Sequence, residues 1–358
     1  MSRESSPRPA GTTGDPAAPR PAGTTGDPAT PRPAGPTVVV CGTVNIDTFV
    51  GLETFPRPGE TVIGRQGLRS LGGKGANQAV ACARMGVHTV LLASVGSDPL
   101  GDSALADMRG HGVDVTHVRR VAEPTGQAFI MNDRAGENII VVTSGANEAT
   151  DPRDSVGTVG TLREQGSVPV VLAQGELTPE HSVRIPGLLA EGTRLVLNLA
   201  PVTTRDAGLL AAADPLIVNE HEAADLLGAD AATAGGGAAG GAADGGSAGG
   251  DADGLARGLA GLARSVVITL GAEGAVVLDP RTAPDPVHVP APQVSDVVDT
   301  TGAGDAFCGT LAAAVAEGEG LVDAARLAVA AGSLAVRARG AAASYADGAE
   351  VRACAVGG

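Results

Sequence analysis

The sequence contains very few aromatic residues, with no Trp, one Tyr and four Phe in 358 residues. A core built from this chain must be aliphatic, and little aromatic surface is left for stacking nucleic-acid bases. Lys and Arg together number 25 against 40 Asp and Glu, which gives a formal net charge of −15. This acidic balance argues against nucleic acid or an anionic membrane as a partner.

Cysteines and long apolar runs are also scarce. The four cysteines lie far apart, without the spacing of a metal site: Cys41, Cys82, Cys308 and Cys354. No apolar run approaches the about 20 residues of a membrane span. The N-terminus lacks the apolar segment of a secretory signal. We therefore expect a reduced, cytoplasmic protein.

Two stretches have low complexity. Residues 1–36 repeat a Pro/Gly/Thr-rich unit, and residues 229–254 are almost entirely Ala, Gly and Asp. Neither can bury enough apolar area to fold alone. We expect a disordered tail over 1–36, a folded domain over 37–358, and a surface insertion at 229–254. The hydrolase-like Gly-x-Ser-x-Gly pattern at 245–249 follows no strand, so we interpret it as chance.

Apolar runs along the rest of the chain predict an α/β fold. Continuous runs at 38–41, 90–95, 168–172, 195–197, 216–218 and 265–270 are typical of buried parallel strands, and polar residues follow most of them. This pattern predicts a doubly wound, mostly parallel sheet with ligands at the carboxyl ends of its strands. It places Asn45 and Asp47 at the end of the first strand. Segments 46–71 and 127–145 fit off-sheet pieces, the second a hairpin, that could build a small separate sheet.

The run from Asp299 to Phe307 reads DTTGAGDAF and precedes a helix that we expect to end before Gly318. Gly302 and Gly304 at the mouth of that helix suit an anion such as phosphate, because the first N–H groups of a helix lack internal partners. Asp305 would repel a phosphate unless it has a chemical task, and a general base for phosphoryl transfer is such a task. The alternative is an ordinary Gly-rich turn with Asp305 as helix N-cap. The dinucleotide and Walker patterns both fail here.

A second Gly-rich run, GGKGANQ, covers residues 72–78 and opens a helix predicted to run to Met85. Lys74 and Asn77 at such a helix start can bind hydroxyls or phosphates. The alternative is a loop with a solvated lysine.

Together with Asn219-x-x-Glu222, these two motifs resemble the signatures of the ribokinase-like (PfkB) sugar kinases, over about residues 38–344. The resemblance implies a Rossmann-like domain with a small β-sheet lid, transfer of the ATP γ-phosphate to the ribose 5-hydroxyl, and dimers formed through the lids. Kinases of deoxyribose, fructose or nucleosides and a non-catalytic sugar or nucleotide sensor are the alternatives. The chain departs from the family at Ala341–Ala343, where Gln and Pro are usual, and at Val329, where a polar residue often stands.

The resemblance also implies residue roles. Asp305 would be the catalytic base, beside an anion hole of Gly302, Ala303 and Gly304. The sugar would bind Asn45, Asp47, Gly73, Lys74, Gly75, Asn77, Glu176 and Asp305. ATP would contact Asn219, Thr269, Gly271, Gly274 and Gly304, with Mg²⁺ organised by Asn219 and Glu222. K⁺, as an activator, would bind Asp299, Thr301, Ala335, Ala338, Gly340 and Ser344.

Overall fold

A nine-stranded sheet and a four-stranded sheet form the framework of the computed structural model, which describes residues 35–135, 137–164, 166–228 and 249–357. The predicted tail, apart from residues 35 and 36, and residues 229–248 of the predicted insertion lie outside the described residues. The pattern at 245–249 lies almost wholly outside them as well.

Thirteen strands occur in the described residues. They are β1 (Thr37–Cys41), β2 (Asn45–Gly51), β3 (Arg65–Gly72), β4 (His88–Gly96), β5 (Val118–Val121), β6 (Gly126–Asn132), β7 (Asn138–Thr143), β8 (Val170–Gln174), β9 (Leu195–Asn198), β10 (Ala213–Asn219), β11 (Val266–Thr269), β12 (Ala275–Leu278) and β13 (Val287–Val289).

The large sheet has the strand order β13-β12-β11-β10-β9-β8-β1-β4-β5. Its strands from β5 to β11 pair in parallel, and β12 and β13 add an antiparallel edge. All five residues of β1 are buried, with Val38 and Val40 in one apolar cluster and Val39 and Cys41 in the other. Burial on both faces explains why β1 reads as a continuous apolar run. The predicted doubly wound fold is confirmed.

Ten α-helices lie in the described residues and cover the two faces of this sheet. They are α1 (Lys74–Arg84), α2 (Pro99–Gly110), α3 (Val156–Glu164), α4 (Pro179–Ser182), α5 (Ala207–Ala212), α6 (Glu220–Leu226), α7 (Gly249–Leu259), α8 (Ala303–Ala316), α9 (Leu321–Ala335) and α10 (Gly348–Gly357). Helices α1, α8 and α9 contribute Ala-rich faces to one apolar cluster, and α7 packs in the other.

The small sheet has the order β3-β2-β6-β7, with β2 and β6 parallel and the outer pairs antiparallel. Its strands fall where the sequence suggested off-sheet pieces. One expectation was wrong in detail: Asn45 and Asp47 do not end β1 but begin β2 of the small sheet. The chain leaves the large sheet after Cys41, and residues 42–44 connect it to the small sheet.

Strand β8 and helix α7 begin at other residues than the sequence predicted. Strand β8 begins at Val170, because Val168 is 58% exposed. Helix α7 begins at Gly249, so ordered structure resumes before the predicted residue 255. Ala252, Leu255, Ala256 and Leu259 recur at helical spacing and are buried, which stabilises the early turns of α7. The short polar strand β5 and helix α10 were not predicted, since neither shows a clear apolar period.

Candidate active site

Asp305 lies in the first turn of α8 and is 7% exposed. Its Oδ2 accepts a hydrogen bond from Asn77 Nδ2 at 3.0 Å, and its Oδ1 accepts one from Gln78 Nε2 at 2.9 Å. Lys74 Nζ lies 3.9 Å from Oδ1. The N-cap of α8 is Gly302, and no side chain caps the helix. The alternative reading of Asp305 as N-cap is therefore wrong, and its carboxylate is held by the GGKGANQ helix instead.

Close packing of α1 against α8 brings the two sequence motifs together. A Cβ on Gly309 of α8 would lie 2.5 Å from both Ala81 Cβ and Gln78 O. Cys82 Sγ also donates to the Gly309 carbonyl at 3.1 Å. Only glycine permits this approach, which carries Asn77 and Gln78 to Asp305.

The turn before α8 is fixed from the C-terminal segment. Gly302 has φ 78°, and a Cβ there would lie 2.6 Å from Ala341 Cβ. Tyr345, the only tyrosine of the chain, donates its hydroxyl to the Gly302 carbonyl at 3.1 Å. In contrast, a Cβ on Gly304 would meet no atom within 4 Å. The helix N-terminus thus offers backbone N–H groups beside open space, as an anion site requires.

The residues predicted to bind a sugar gather on the same side of Asp305. Glu176 Oε2 accepts hydrogen bonds from Lys74 N at 2.9 Å and from Thr43 Oγ1. Gly72 is the register partner of Asn45 in the β2–β3 ladder, and a Cβ on Gly72 would overlap the Asp47 carboxylate. The glycines of the motif therefore leave room for acidic groups that converge on the start of α1.

Charge is concentrated in this cluster. Burial, then the charges of Glu176 and Asp305, raise the pKa of Asp47 to about 6. The Asp305 carboxylate raises the pKa of Lys74, against the opposing effect of burial. Lys74 is therefore a cation in the neutral pH range, stabilised by the charges of Asp305, Glu176 and Glu222.

Asn45 is oriented by a residue that the sequence analysis missed. Asn147 is 5% exposed, and its Nδ2 donates to Asn45 Oδ1 at 2.8 Å. The Asn147 side chain also accepts from Val44 N at 2.9 Å and donates to Val44 O at 3.2 Å. No motif surrounds Asn147, so only its position after the predicted hairpin could have drawn attention to it.

Polar residues end four neighbouring strands of the large sheet: Gln174, Asn198, Asn219 and Thr269. Asn219 and Thr269 are register partners of β10 and β11. Gly271 begins the short 3₁₀ turn Gly271–Glu273 that follows Thr269, and Gly274 with φ 103° ends it. The residues predicted to bind ATP thus line one edge of the sheet.

Asn219 and Glu222 form a reciprocal capping box at the start of α6. Glu222 N donates to Asn219 Oδ1, and Asn219 N donates to Glu222 Oε2, both at 2.8 Å. Burial raises the pKa of Glu222, against the hydrogen bond from Asn219 N and the Lys74 charge. In the part of the chain that the structure describes, no three His, Cys, Asp or Glu side chains cluster as a metal site.

Asp299 links the turn before α8 to the loop after α9. Its Oδ1 accepts from Thr301 N at 3.0 Å and Thr301 Oγ1 at 2.7 Å, and its Oδ2 accepts from Gly340 N at 2.9 Å. Burial alone would raise the pKa of Asp299, but these hydrogen bonds outweigh it, and the pKa is lowered. Ser344 Oγ donates to the Ala341 carbonyl at 2.8 Å. Ala335 ends α9, and Ala338 lies in the same loop.

Comparison with known proteins agrees with this geometry. The model of the pfkB family carbohydrate kinases matches residues 36–347. The chain therefore belongs to this family, whose members are phosphotransferases acting on an alcohol group. The resemblance to this family, which the two Gly-rich motifs indicated, is confirmed.

Similar proteins within the family include several ribokinases. The chain is 32% identical to Haemophilus influenzae ribokinase over 85% of this chain and 94% of that protein. It is 33% identical to mouse ribokinase over 77% of this chain and 80% of that protein. The structure of Arabidopsis thaliana ribokinase complexed with ribose and ATP matches with a TM-score of 0.75 and 29% identity, over 90% of this chain and 99% of that chain.

Proposed function

We propose that this chain is an ATP-dependent sugar kinase that transfers the γ-phosphate of ATP to the 5-hydroxyl of D-ribose. The observation that carries the proposal is the buried Asp305 carboxylate, hydrogen-bonded by Asn77 and Gln78 at the open N-terminus of α8. A carboxylate there can accept the proton of an attacking hydroxyl while the helix N-terminus stabilises the charge on the transferred phosphoryl group. The ribokinases similar to this chain support ribose as the acceptor.

The sugar would lie between the small sheet and the start of α1. Asp47 and Asn45 approach from β2, Glu176 from the segment after β8, and Lys74 from the first turn of α1. Carboxylate and amide oxygens can fix vicinal hydroxyls by paired hydrogen bonds. Asn77 Oδ1 is buried without a hydrogen-bond partner, so it is a further acceptor for a hydroxyl in this site. A Cβ on Gly73 or Gly75 would overlap the backbone of residues 42–45, so these glycines let the start of α1 lie against the segment that leads to Asn45.

Mg²⁺ would accompany ATP on the α6 side of the site. Asn219 and Glu222 supply the oxygen ligands that this hard cation prefers, although one oxygen of each serves the capping box. Mg²⁺ when bound would neutralise the charge of the phosphates. Thr269, Gly271, Gly274 and Gly304 would border the nucleotide.

K⁺ would act as an activator at the loop around Asp299. The Asp299 carboxylate and the carbonyls of Thr301, Ala335, Ala338 and Gly340, with Ser344, suit a weakly charged hard cation. Asp299 already holds this loop to the turn at Gly302, so the donor set fits an ion that stiffens the turn. We expect KCl to raise turnover above tetramethylammonium chloride at equal ionic strength; equal rates in both salts would remove the K⁺ site.

A homodimer through the small sheets is also part of the proposal. The edge strand β7 exposes Ile139, Ile140, Val141 and Val142, each more than 40% exposed. An apolar edge strand of this kind is a template for pairing with a second copy.

Cytoplasmic location remains a prediction from the cysteine pattern. The four cysteines are free, and no helix in the described ranges is long and apolar enough to cross a membrane.

An ADP-release assay across several acceptors tests the proposed function. The purified chain with Mg²⁺-ATP is offered D-ribose, deoxyribose, fructose and adenosine in turn. The proposal predicts the highest kcat/KM with D-ribose and ribose 5-phosphate as the product by mass spectrometry. A higher kcat/KM with another acceptor would reassign the substrate, and no ADP release with any of them would favour a sensor.

A further inference from the structure

We propose that Gln78 is a positioning residue for the catalytic base, and that a chain of buried amides fixes the direction of its side chain. The chain begins at the backbone carbonyl of Ile217 and ends at Asp305 Oδ1. It keeps an N–H donor aimed at Asp305, which favours the carboxylate form that can accept a proton. This inference rests on the proposed role of Asp305 as base.

Four hydrogen bonds build the chain. Asn198 Nδ2 donates to Ile217 O at 3.2 Å, and Gln78 Nε2 donates to Asn198 Oδ1 at 3.0 Å. The same Gln78 Nε2 donates to Asp305 Oδ1 at 2.9 Å. On its other side, Gln78 Oε1 accepts from Gln174 Nε2 at 2.9 Å. Gln78, Gln174 and Asn198 are 0%, 1% and 7% exposed, so water does not compete for these bonds.

The backbone carbonyl sets the polarity of the whole chain. Ile217 O can only accept, so Asn198 must turn its Nδ2 toward β10 and its Oδ1 toward Gln78. Gln78 then faces two oxygens, those of Asn198 and Asp305. A flipped Gln78 would place Oε1 against both of them, so only the Nε2-forward orientation is compatible with its neighbours.

The register of the large sheet holds the chain in place. Gln174 and Asn198 are register partners at the ends of β8 and β9, and Asn198 pairs with Ile217 of β10. A Cβ on Gly42 would overlap Gln174 Oε1, so the Gln174 amide is tightly enclosed. Gln78 reaches this row from α1 and connects it to Asp305. Apart from the bond to Asp305, none of the three amides hydrogen-bonds a predicted sugar-binding acid in the described residues, since Glu176 is bonded by Thr43 and Lys74.

Several ionisable groups surround Asp305. Those that interact with it electrostatically are Lys74 from α1, Asp47 from β2, Cys308 from its own helix and Tyr345 from the C-terminal segment, while Glu176 and Glu222 act on Lys74. An ionised Asp47 repels the Asp305 carboxylate, whereas Lys74 attracts it. Gln78 is uncharged, and its hydrogen bond to Oδ1 stabilises the carboxylate form of Asp305.

Gln78→Met tests the proposal, because methionine matches the size of glutamine but donates no hydrogen bond. We expect kcat at saturating ribose to fall about tenfold, as for other partners that orient a functional group. The acidic limb of the kcat–pH profile should move about one pH unit upward, since a donor to the charged form is lost. KM for ribose should stay unchanged, because Gln78 is fully buried and does not reach the sugar.

Asn198→Leu extends the test to the polarity of the chain, and it carries the test alone if Gln78→Met does not fold. Without Asn198 Oδ1, Gln78 loses one of the two contacts that exclude the flipped amide, and only Asp305 Oδ1 still opposes it. We expect a smaller fall in kcat and a shift of the acidic limb in the same direction. The double variant should be no worse than Gln78→Met, since Asn198 acts only through Gln78.

Ser265→Ala is the matched control, because Ser265 is also fully buried and hydrogen-bonded: it is 0% exposed and donates to Asp214. Ser265 lies just before β11, at the end of the strands opposite to the active site. Its kcat–pH profile should equal that of the wild type even if its melting temperature falls. A wild-type acidic limb in Gln78→Met would overturn the proposal, as would a shift in Gln78→Met with none in Asn198→Leu. If Asp305→Asn also retained turnover, the proposed function would fail and not this inference alone.

Discussion

At the residue scale, Asp47 is the side chain whose ionisation most directly couples the site to pH. It is held in a small-sheet strand but faces Glu176 and Asp305, and its pKa is raised to about 6 by burial and these two charges. An ordinary aspartate is fully ionised at pH 6. Asp47 therefore changes charge within the range in which an enzyme is assayed.

The first prediction is a rise in KM for ribose as the pH falls below about 6. Protonated Asp47 accepts sugar hydroxyl hydrogens more weakly than the carboxylate. Because the folded-state pKa lies above the unfolded value, ionised Asp47 destabilises the fold, and the free energy of unfolding falls as the pH rises from about 4 to 6. Initial rates and thermal unfolding measured from about pH 4 to about 8 check both trends.

Asp47→Asn is the companion variant, since it removes the titration and keeps the size. Its KM should be higher than that of the wild type at pH 7 and flat with pH, and its free energy of unfolding at pH 7 should rise by about 1–3 kcal/mol. A wild-type pH dependence of KM in this variant would assign the titration to another group.

Single residues also show what sequence reasoning could and could not reach. Asp305 was identifiable because a carboxylate in a Gly-rich helix start needs a reason, and its contacts with Asn77 and Gln78 remove the N-cap alternative. Asn147 was not identifiable, because its role depends on a hydrogen bond with Val44, which lies 103 positions earlier in the chain. Contacts at such separation leave no local pattern in one sequence.

At the element scale, the turn before α8 combines two glycines with opposite requirements. Gly302 has a positive φ and packs against Ala341, whereas Gly304 is helical and faces open space. The fold needs the first glycine. The second is explained by the approach of a ligand to the helix N-terminus.

The second prediction separates these two glycines. Gly304→Ala should keep or slightly raise the melting temperature, because alanine favours a helix by up to about 1 kcal/mol. It should nevertheless lower kcat/KM for ATP at least about tenfold, since the new methyl group occupies the phosphate's space. Gly302→Ala should destabilise the protein by about 1–3 kcal/mol through its strained φ.

Gly160→Ala in α3 is the control, because a Cβ there also meets nothing within 4 Å and lies outside the site. It should leave kcat/KM unchanged. Full activity in Gly304→Ala, with Gly160→Ala equally active, would show that no ligand approaches the start of α8.

Strands and helices were predicted best where apolar residues formed a clear run or recurred at a regular spacing. Buried parallel strands such as β1 and β10 and the Ala-rich helix α8 were recognisable from apolar runs and terminal glycines. The step from β1 to β2 was not, because the polar residues after Cys41 fit a strand end as well as a new strand. Only the pairing of β2 with β3 and β6 distinguishes these cases.

At the scale of the whole molecule, the small sheet exposes an apolar edge that the rest of the fold does not cover. The four consecutive exposed residues Ile139–Val142 project to both faces of β7, and Leu68 on β3 is 83% exposed. Exposure of this extent in one sheet favours burial against a second copy.

The third prediction is that charge on this edge separates the dimer. Val141→Lys should give a monomer by light scattering with size-exclusion chromatography, because an unpaired charge would be buried between the sheets. Val168→Lys is the control, since Val168 is 58% exposed outside the small sheet and should remain a dimer. A monomeric wild type, or an unaltered Val141→Lys dimer, would contradict pairing through the small sheets.

The most direct test of the central claim, that Asp305 is the base of a ribose kinase, is the turnover of Asp305→Asn. Asparagine keeps the size, and Asn77 can rotate its unpartnered Oδ1 to accept from the new amide, so the fold should tolerate it. We expect kcat with D-ribose and Mg²⁺-ATP to fall at least ~10²-fold, with an unchanged melting temperature and retained ribose binding by calorimetry. Turnover near the wild-type rate in this variant would contradict the account.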